Sequence, residues 1–323
     1  MSMLAFGLGF SDLYRREGLQ RVDEAFLSVL RARDGGLADR LIAARQTALP
    51  SAKDEAALLV ALSPHLDAFI GELFDIVEPL AALRAGHEAL APLIRVKWKF
   101  VKRQALLTYP DTAALGAFDP DGALATIEQW LQQPFEELAF ARAILQWQSE
   151  SHDDRIDLAC RYCAWAVLTE AGQLRHGTQV LFRHPGKIDP MALLLHAQQH
   201  TESQVRVTTI DTRHLRRREG FALTDPGTDL AGALDQANYC IWCHQQGKDS
   251  CSKGLREKPD AQGRAPFKRS TFGVQLAGCP LEERISEFHL VKSQGHPVGA
   301  LALIAIDNPM VAATGHRICN DCM

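Results

Sequence analysis

The chain has 323 residues, of which 46% are hydrophobic and 23% charged, with a formal net charge of −4. That length holds roughly two or three ordinary domains, and the composition is that of a globular protein with a sizeable core. The slightly acidic balance argues against nucleic-acid binding by the protein as a whole, and eight cysteines are too sparse for a disulfide-stapled scaffold.

The first ten residues carry no basic segment and run into charged Ser11-Asp-Leu-Tyr-Arg-Arg-Glu17, so no secretory signal is expected. The longest uninterrupted apolar run, 298–306, is far short of the ~20 residues that span a bilayer, and no membrane segment is expected. Residues 18–172 are rich in Ala, Leu, Glu and Arg with apolar residues spaced by three and four, which predicts helices. Leu19, Val22, Phe26, Val29 and Leu30 form one stripe; Leu66, Phe69, Leu73, Ile76 and Leu80 form another. Ser51 followed by Asp54-Glu55 marks a helix start, and Pro110-Asp111 and Phe118-Asp-Pro-Asp-Gly122 mark breaks. Trp130, Phe135, Phe140, Leu145 and Trp147 suit core positions.

Four features before residue 231 allow a sharper reading, and in each the plain one is preferred. Arg95, Lys99, Lys102 and Arg103 share a helical face, which reads as a solvated face before it reads as a docking face for an acidic partner or nucleic acid. His152-Asp153-Asp154 with Asp157 reads as a helix start rich in acids rather than a metal or acid–base site. Cys160 and Cys163 fall in a helical pattern, where buried cysteine behaves as a small apolar residue. The basic run Arg213 to Arg218 reads as an exposed linker.

Residues 173–230 change character. The segments 178–182 and 205–210 have strand composition with a helical stretch, 190–200, between them, which predicts a small strand–helix–strand unit. Residues 211–230 read as a linker or loop. The stretch 253–270, with six Lys/Arg, Pro259, Gly263 and Pro266, reads as a surface insertion.

Six of the eight cysteines lie after residue 239, as Cys240-Ile-Trp-Cys243, Cys251, Gly278-Cys279-Pro280 and Cys319-Asn-Asp-Cys322. Soft thiolates at C-x-x-C spacing point to metal or redox chemistry in a reducing, cytoplasmic compartment. Pro280 suits the first position of a helix carrying Leu281, Ile285, Phe288 and Val291 and ending at Gly295. Cys279 is then expected at a helix N-terminus, where free N–H groups favour a thiolate. A second helix is expected from Pro297.

These motifs, with Asn308-Pro309 and Gly315-His-Arg317-Ile-Cys319, resemble the N-terminal di-[4Fe-4S] module of FAD-dependent pyridine-nucleotide oxidoreductases. That group includes the glutamate synthase small subunit and dihydropyrimidine dehydrogenase. The resemblance covers 231–323. It implies that Cys240, Cys243 and Cys251 ligate one [4Fe-4S] cluster and that Cys279, Cys319 and Cys322 belong mainly to a second. It also implies a further ligand beyond Met323, and flavin and nicotinamide domains downstream in the same polypeptide or on a partner subunit. No G-x-G-x-x-G follows a strand in this chain, so it reads as the N-terminal electron-transfer portion of a longer enzyme that uses FAD and NAD(P)H. The chain departs from the family in three places. The interval from Cys251 to Cys279 is long, Cys319-x2-Cys322 is tight, and Ile285-Ser286 stands where the family has Ile-Pro.

Two other readings compete. Paired C-x-x-C motifs can form a zinc-stabilised interaction module, although zinc leaves Cys251 and Cys279 without a task. The third reading is a regulatory helical domain whose cysteines are incidental. His289, His296 and His316 receive no role. The expected fold is mainly α: a helical domain over 1–172, a small α/β segment and linker over 173–230, and a helical iron–sulfur module over 231–323.

Overall fold

The structure is a computed structural model that describes residues 3–185, 189–191, 193, 197–210, 219–222, 227–247 and 249–315. It is mainly α, as expected. Two 3₁₀ turns, Ala5–Gly7 and Phe10–Tyr14, precede α1 (Arg16–Arg33), α2 (Gly35–Gln46), α3 (Ala52–Leu73) and α4 (Val77–Val96). The last of these runs without a break into a π-helix, Lys97–Ala105, and then α5 (Leu106–Thr108). Next come α6 (Thr112–Leu115), α7 (Pro120–Leu131), α8 (Glu137–Ser149), α9 (Asp153–Leu168) and α10 (Glu170–His176). After strands β1 (Ala197–Glu202) and β2 (Val205–Ile210), the C-terminal part holds α11 (Leu230–Asn238) and a 3₁₀ turn, Cys243–Gln246. It then holds α12 (Ser250–Lys253), α13 (Ile285–Ser293), α14 (Pro297–Asp307) and α15 (Val311–Thr314).

The helix starts follow their caps. Ser51 accepts from the Asp54 N–H, Asp111 from Ala114, and Asp119 from both Asp121 and Gly122. Such side chains satisfy the donors that a helix N-terminus leaves open. Replacing Asp119 with Ala should cost about 1 kcal/mol, read as a lower urea midpoint at unchanged m. His152 precedes α9 and Asp153 and Asp154 fill its first turn, so that acidic cluster is a helix start.

The largest core cluster joins α4, the π-helix and α6 through α9 around Phe100, Ile127, Phe140, Ile144, Trp147 and Tyr162. Cys160 and Cys163 lie inside it. Burial pushes the Cys160 thiol up to about 12 and Cys163 well above the ordinary range, so both stay protonated and apolar.

Two expectations for 173–230 fail. Residues 178–182 form no strand; Val180, Leu181 and Phe182 are buried turns in the helical core. The Leu181 N–H donates to the Glu137 carboxylate at 2.9 Å, taking the place of a neighbouring strand. Residues 197–200 of the expected helix belong to β1, which pairs antiparallel with β2 across Ser203-Gln204. Both turn residues have positive φ, 49° and 68°, the geometry of a tight two-residue hairpin. The strand–helix–strand unit is therefore a hairpin. Arg213 to Arg218 lie outside the described residues.

By length and composition α3 alone, among the described residues, could cross a membrane, although Pro64, His65 and Asp67 interrupt its apolar run. Here α3 is the helix on which α13 and α14 pack. Leu59 and Val60 cover the cluster of Ile285, Phe288, Val291, Ala300 and Leu303. The fully buried Asp67 accepts the Gly299 N–H at 2.5 Å. Contact is so close at Gly299 that an added Cβ would lie 2.8 Å from the Ser63 carbonyl oxygen.

Candidate functional site

The cysteine segment is built outward from α11, whose cap Asp229 accepts the Gly232 N–H at 2.8 Å. On its inner side Asp235 forms a 2.5 Å ion pair with Lys97 of the π-helix, and both side chains are essentially shut off from solvent. Tyr239, one residue before Cys240, donates its hydroxyl to the Arg183 carbonyl and meets the Trp98 ring edge-on, with ring centroids 5.2 Å apart. The Lys97 ammonium lies 4.9 Å from the Tyr239 ring centre, and that of Lys102 lies 3.9 Å from the Trp98 ring centre. Burial lowers the pKa of both lysines. These contacts fix the entrance to the Cys240–Cys243 loop.

Ser286 fixes the rest of that loop. Its hydroxyl lies 3.8 Å from the Cys240 thiol, 3.4 Å from the His244 backbone nitrogen and 2.7 Å from His244 Nδ1. Trp242, at φ 52°, turns the chain so that Cys243 enters the 3₁₀ turn and is buried. The proline of the resembled module would lack this hydroxyl. The departure at Ser286 is thus the point where the first cysteine pair is tied to α13.

The second departure, the long interval from Cys251 to Cys279, is closed on itself. Leu255 bonds to Leu276, Lys268 to Leu255 and Leu276 to Lys268 through their backbones, and bridges join Arg256 to Phe267 and Arg269 to Gln275. The excursion leaves and returns at one place. There the Cys279 N–H donates to the Cys251 carbonyl at 2.9 Å and to that of Ser252 at 3.0 Å. Cys251 is exposed, whereas Cys279 is buried in the cluster of Ile285 and Phe288.

One expectation at Cys279 is overturned. Pro280 lies in a turn, not at a helix start, because Glu282 takes φ 49° and donates its N–H back to the Cys279 carbonyl. The helix begins at Ile285, so Cys279 precedes it by a turn and the helix dipole does not act on it directly. Gly295 at φ 86° and Pro297 end α13 and start α14, as expected.

Cys240 is thus tied to α13 through Ser286, and Cys279 packs in the cluster with Ile285 and Phe288 of the same helix. Among the described residues no group of three or more His, Cys, Asp or Glu is arranged to hold a metal ion. Cys319 and Cys322 lie outside the described residues. The donors are all thiols, which suits a soft metal, while the described four by themselves form no closed site.

Beside them is a polar cavity of about 290 Å³, lined by His244, Asp249, Ser252, Arg284 and Glu287 together with Glu55 of α3. Arg284 bonds to Asp307 and, at 2.6 Å, to Glu55, closing one end of the cavity onto α3. Burial raises the pKa of Asp249 and Glu287 and lowers that of His244, so this wall carries less charge than its residue types suggest. Sequence reasoning met Ser286 only as a departure from the resembled module and missed Asp235 and Lys97. Ser286 and Asp235 are polar residues on short helices, and only their partners give them a task.

Residues 4–75 match the family model described as the RP005 N-terminal alpha-helical domain, which corresponds to the two 3₁₀ turns and α1 through α3. The chain is 31% identical over 307 residues to the "Uncharacterized protein RP005" of Rickettsia prowazekii (strain Madrid E), an alignment that covers 90% of this chain and 98% of that protein. No solved structure matches it. With identity of this extent along nearly the whole of both sequences, the chain belongs to the RP005 family.

Proposed function

We propose that residues 231–323 are an electron-transfer module that binds [4Fe-4S] clusters through Cys240, Cys243, Cys251, Cys279, Cys319 and Cys322. In this reading the chain is the cytoplasmic N-terminal portion of an FAD- and NAD(P)H-dependent oxidoreductase. Its partners are flavin domains of the same polypeptide or of another subunit. The observation that carries the reading is the closed excursion between Cys251 and Cys279. It supports the reading by bringing the backbones of Cys251 and Cys279 together across the longest departure from the resembled module. Bound clusters supply one-electron transfer, and their potential depends on burial and nearby hydrogen bonds. The residues of this chain supply the thiolates, the Ser286 tie and a half-buried surround.

Anaerobic purification of the full chain tests the reading. The expected product is brown and contains iron and acid-labile sulfide in equal amounts. Cys243→Ser and Cys279→Ser should each lower the iron content, whereas Cys160→Ser should leave it unchanged. Colourless protein with stoichiometric zinc would replace the reading with the zinc module. Protein with neither metal would leave a helical domain with incidental cysteines.

A further inference from the structure

From Ala89 to Pro110 the chain carries five cations and no acid: Arg95, Lys97, Lys99, Lys102 and Arg103. The nearest acids in sequence are Glu88 and Asp111. The fold separates these cations into two groups. Lys97 turns inward and is neutralised by Asp235. Arg95, Lys99 and Arg103 are exposed, and none of them forms an ion pair among the described residues. Their four-residue spacing along one continuous helical segment keeps them near one side. Lys102 is half-buried over Trp98. A protein with net charge −4 thus presents a concentrated positive face.

The position of this face gives it meaning. Trp98 lies beneath Lys102 of this group and meets Tyr239, which precedes Cys240 in the chain. The face is therefore one aromatic contact from the first of the proposed ligands. Solvated cations alone account for solubility but not for this concentration at one point. Electron-carrier encounters use small interfaces and rely on opposite charge for speed and orientation.

We infer that the surface formed by Arg95, Lys99, Lys102 and Arg103, with Trp98 beneath Lys102, is the docking site for a small acidic electron-carrier protein. This inference rests on the electron-transfer reading, and it goes beyond it by naming a surface and the chemistry of the partner. Nucleic acid is the competing anion. The chain's net charge and the short length of the stripe disfavour it, since non-specific nucleic-acid binding grows with the number of phosphates contacted.

The test uses the full chain, purified anaerobically, and a plant-type [2Fe-2S] ferredoxin as the acidic probe. Binding should weaken by at least about tenfold between low and moderate salt, as screened surface charges require. Lys99→Glu/Arg103→Glu should weaken it by at least about tenfold at low salt, with Lys99→Gln/Arg103→Gln intermediate and both variants melting at the wild-type temperature. Three results overturn the inference: no ferredoxin binding by the wild type, binding unchanged in both double variants, or tighter binding of a single-stranded oligonucleotide than of the ferredoxin. The iron content of the same preparations separates the two ideas. Wild-type protein without iron sinks the electron-transfer reading; iron-loaded protein without charge-dependent binding sinks only the docking surface.

Discussion

Gly278→Ala should make Cys279 react with thiol reagents much faster than in the wild type, and Gly273→Ala should not. Both glycines have left-handed backbone, at φ 84° and 79°. A side chain there costs about 1–3 kcal/mol in either place. The surroundings differ. At Gly273 an added Cβ meets nothing within 4 Å. At Gly278 it would lie 2.3 Å from the Gly254 nitrogen and 2.6 Å from the Ser252 carbonyl oxygen, both backbone atoms with no rotamer to escape into. Relieving that contact forces the two strands of the excursion apart, at roughly another 1–3 kcal/mol. Those strands carry the bond between Cys279 and Cys251. Each ~1.4 kcal/mol of local opening multiplies the exposed population about tenfold, so labelling of the buried thiol should rise by at least that factor. Hydrogen exchange at the Cys279 amide should accelerate with it. Equal labelling in the two variants would mean that the excursion does not hold the cysteines together. If the electron-transfer reading is right, Gly278→Ala should also lose iron.

Local signals were legible in the sequence wherever a short segment settles its own structure. Ser51, Asp111 and Asp119 each pair with an N–H two or three residues on, so side chain and spacing suffice to place the helix start. Gly295 followed by Pro297 likewise ends one helix and begins the next within three residues. The failures share a different cause. Val180, Leu181 and Phe182 have strand composition, yet β-propensity measures fit to a half-buried surface and not a backbone preference. Here the surface is a helical core, and Glu137 supplies the backbone partner. Pro280 permits a helix start but does not require one, and Glu282 in left-handed backbone ends that possibility two residues later.

The candidate site was legible as a set of residue types and not as a geometry. The C-x-x-C motif identifies Cys240 and Cys243, but the partner that holds them is Ser286, more than forty positions away. The basic stripe was visible through the four-residue spacing of Arg95, Lys99 and Arg103. That reading leaves out Lys97, which lies in the same run and points the other way. A period of 3.6 residues describes α4, whereas the next nine residues form a wider helix with i→i+5 bonds, such as that from the Leu106 N–H to the Val101 carbonyl. Such a segment changes which side chains face inward, and the α-helical period alone does not anticipate it.

Lys97 is where this matters most for stability, and Asp235→Ala is the substitution expected to be most damaging. In the intact protein the two charges are buried together at 2.5 Å, joining the π-helix to α11. Removing the carboxylate leaves an ammonium enclosed with the Tyr239 ring as its closest compensation. Breaking one side of a buried pair typically costs about 3–5 kcal/mol, whereas replacing both with apolar residues is often neutral. Asp235→Ala and Lys97→Met should each lose stability in that range, read as a lower urea midpoint at unchanged m, and Lys97→Met/Asp235→Leu should recover most of it. The pH dependence should separate the two single variants. Burial already lowers the Lys97 pKa, against the opposing influence of Asp235. Without Asp235 it falls further below the ordinary value of about 10.4. Between the folded and unfolded values the unfolded chain binds more protons, so the stability of Asp235→Ala should rise with pH through that window. Lys97→Met has no such group and should show no recovery there. A loss below about 1 kcal/mol in Asp235→Ala would place the pair among weak surface contacts. It would also remove the rigid support for Tyr239, and with it the aromatic link between the basic face and Cys240.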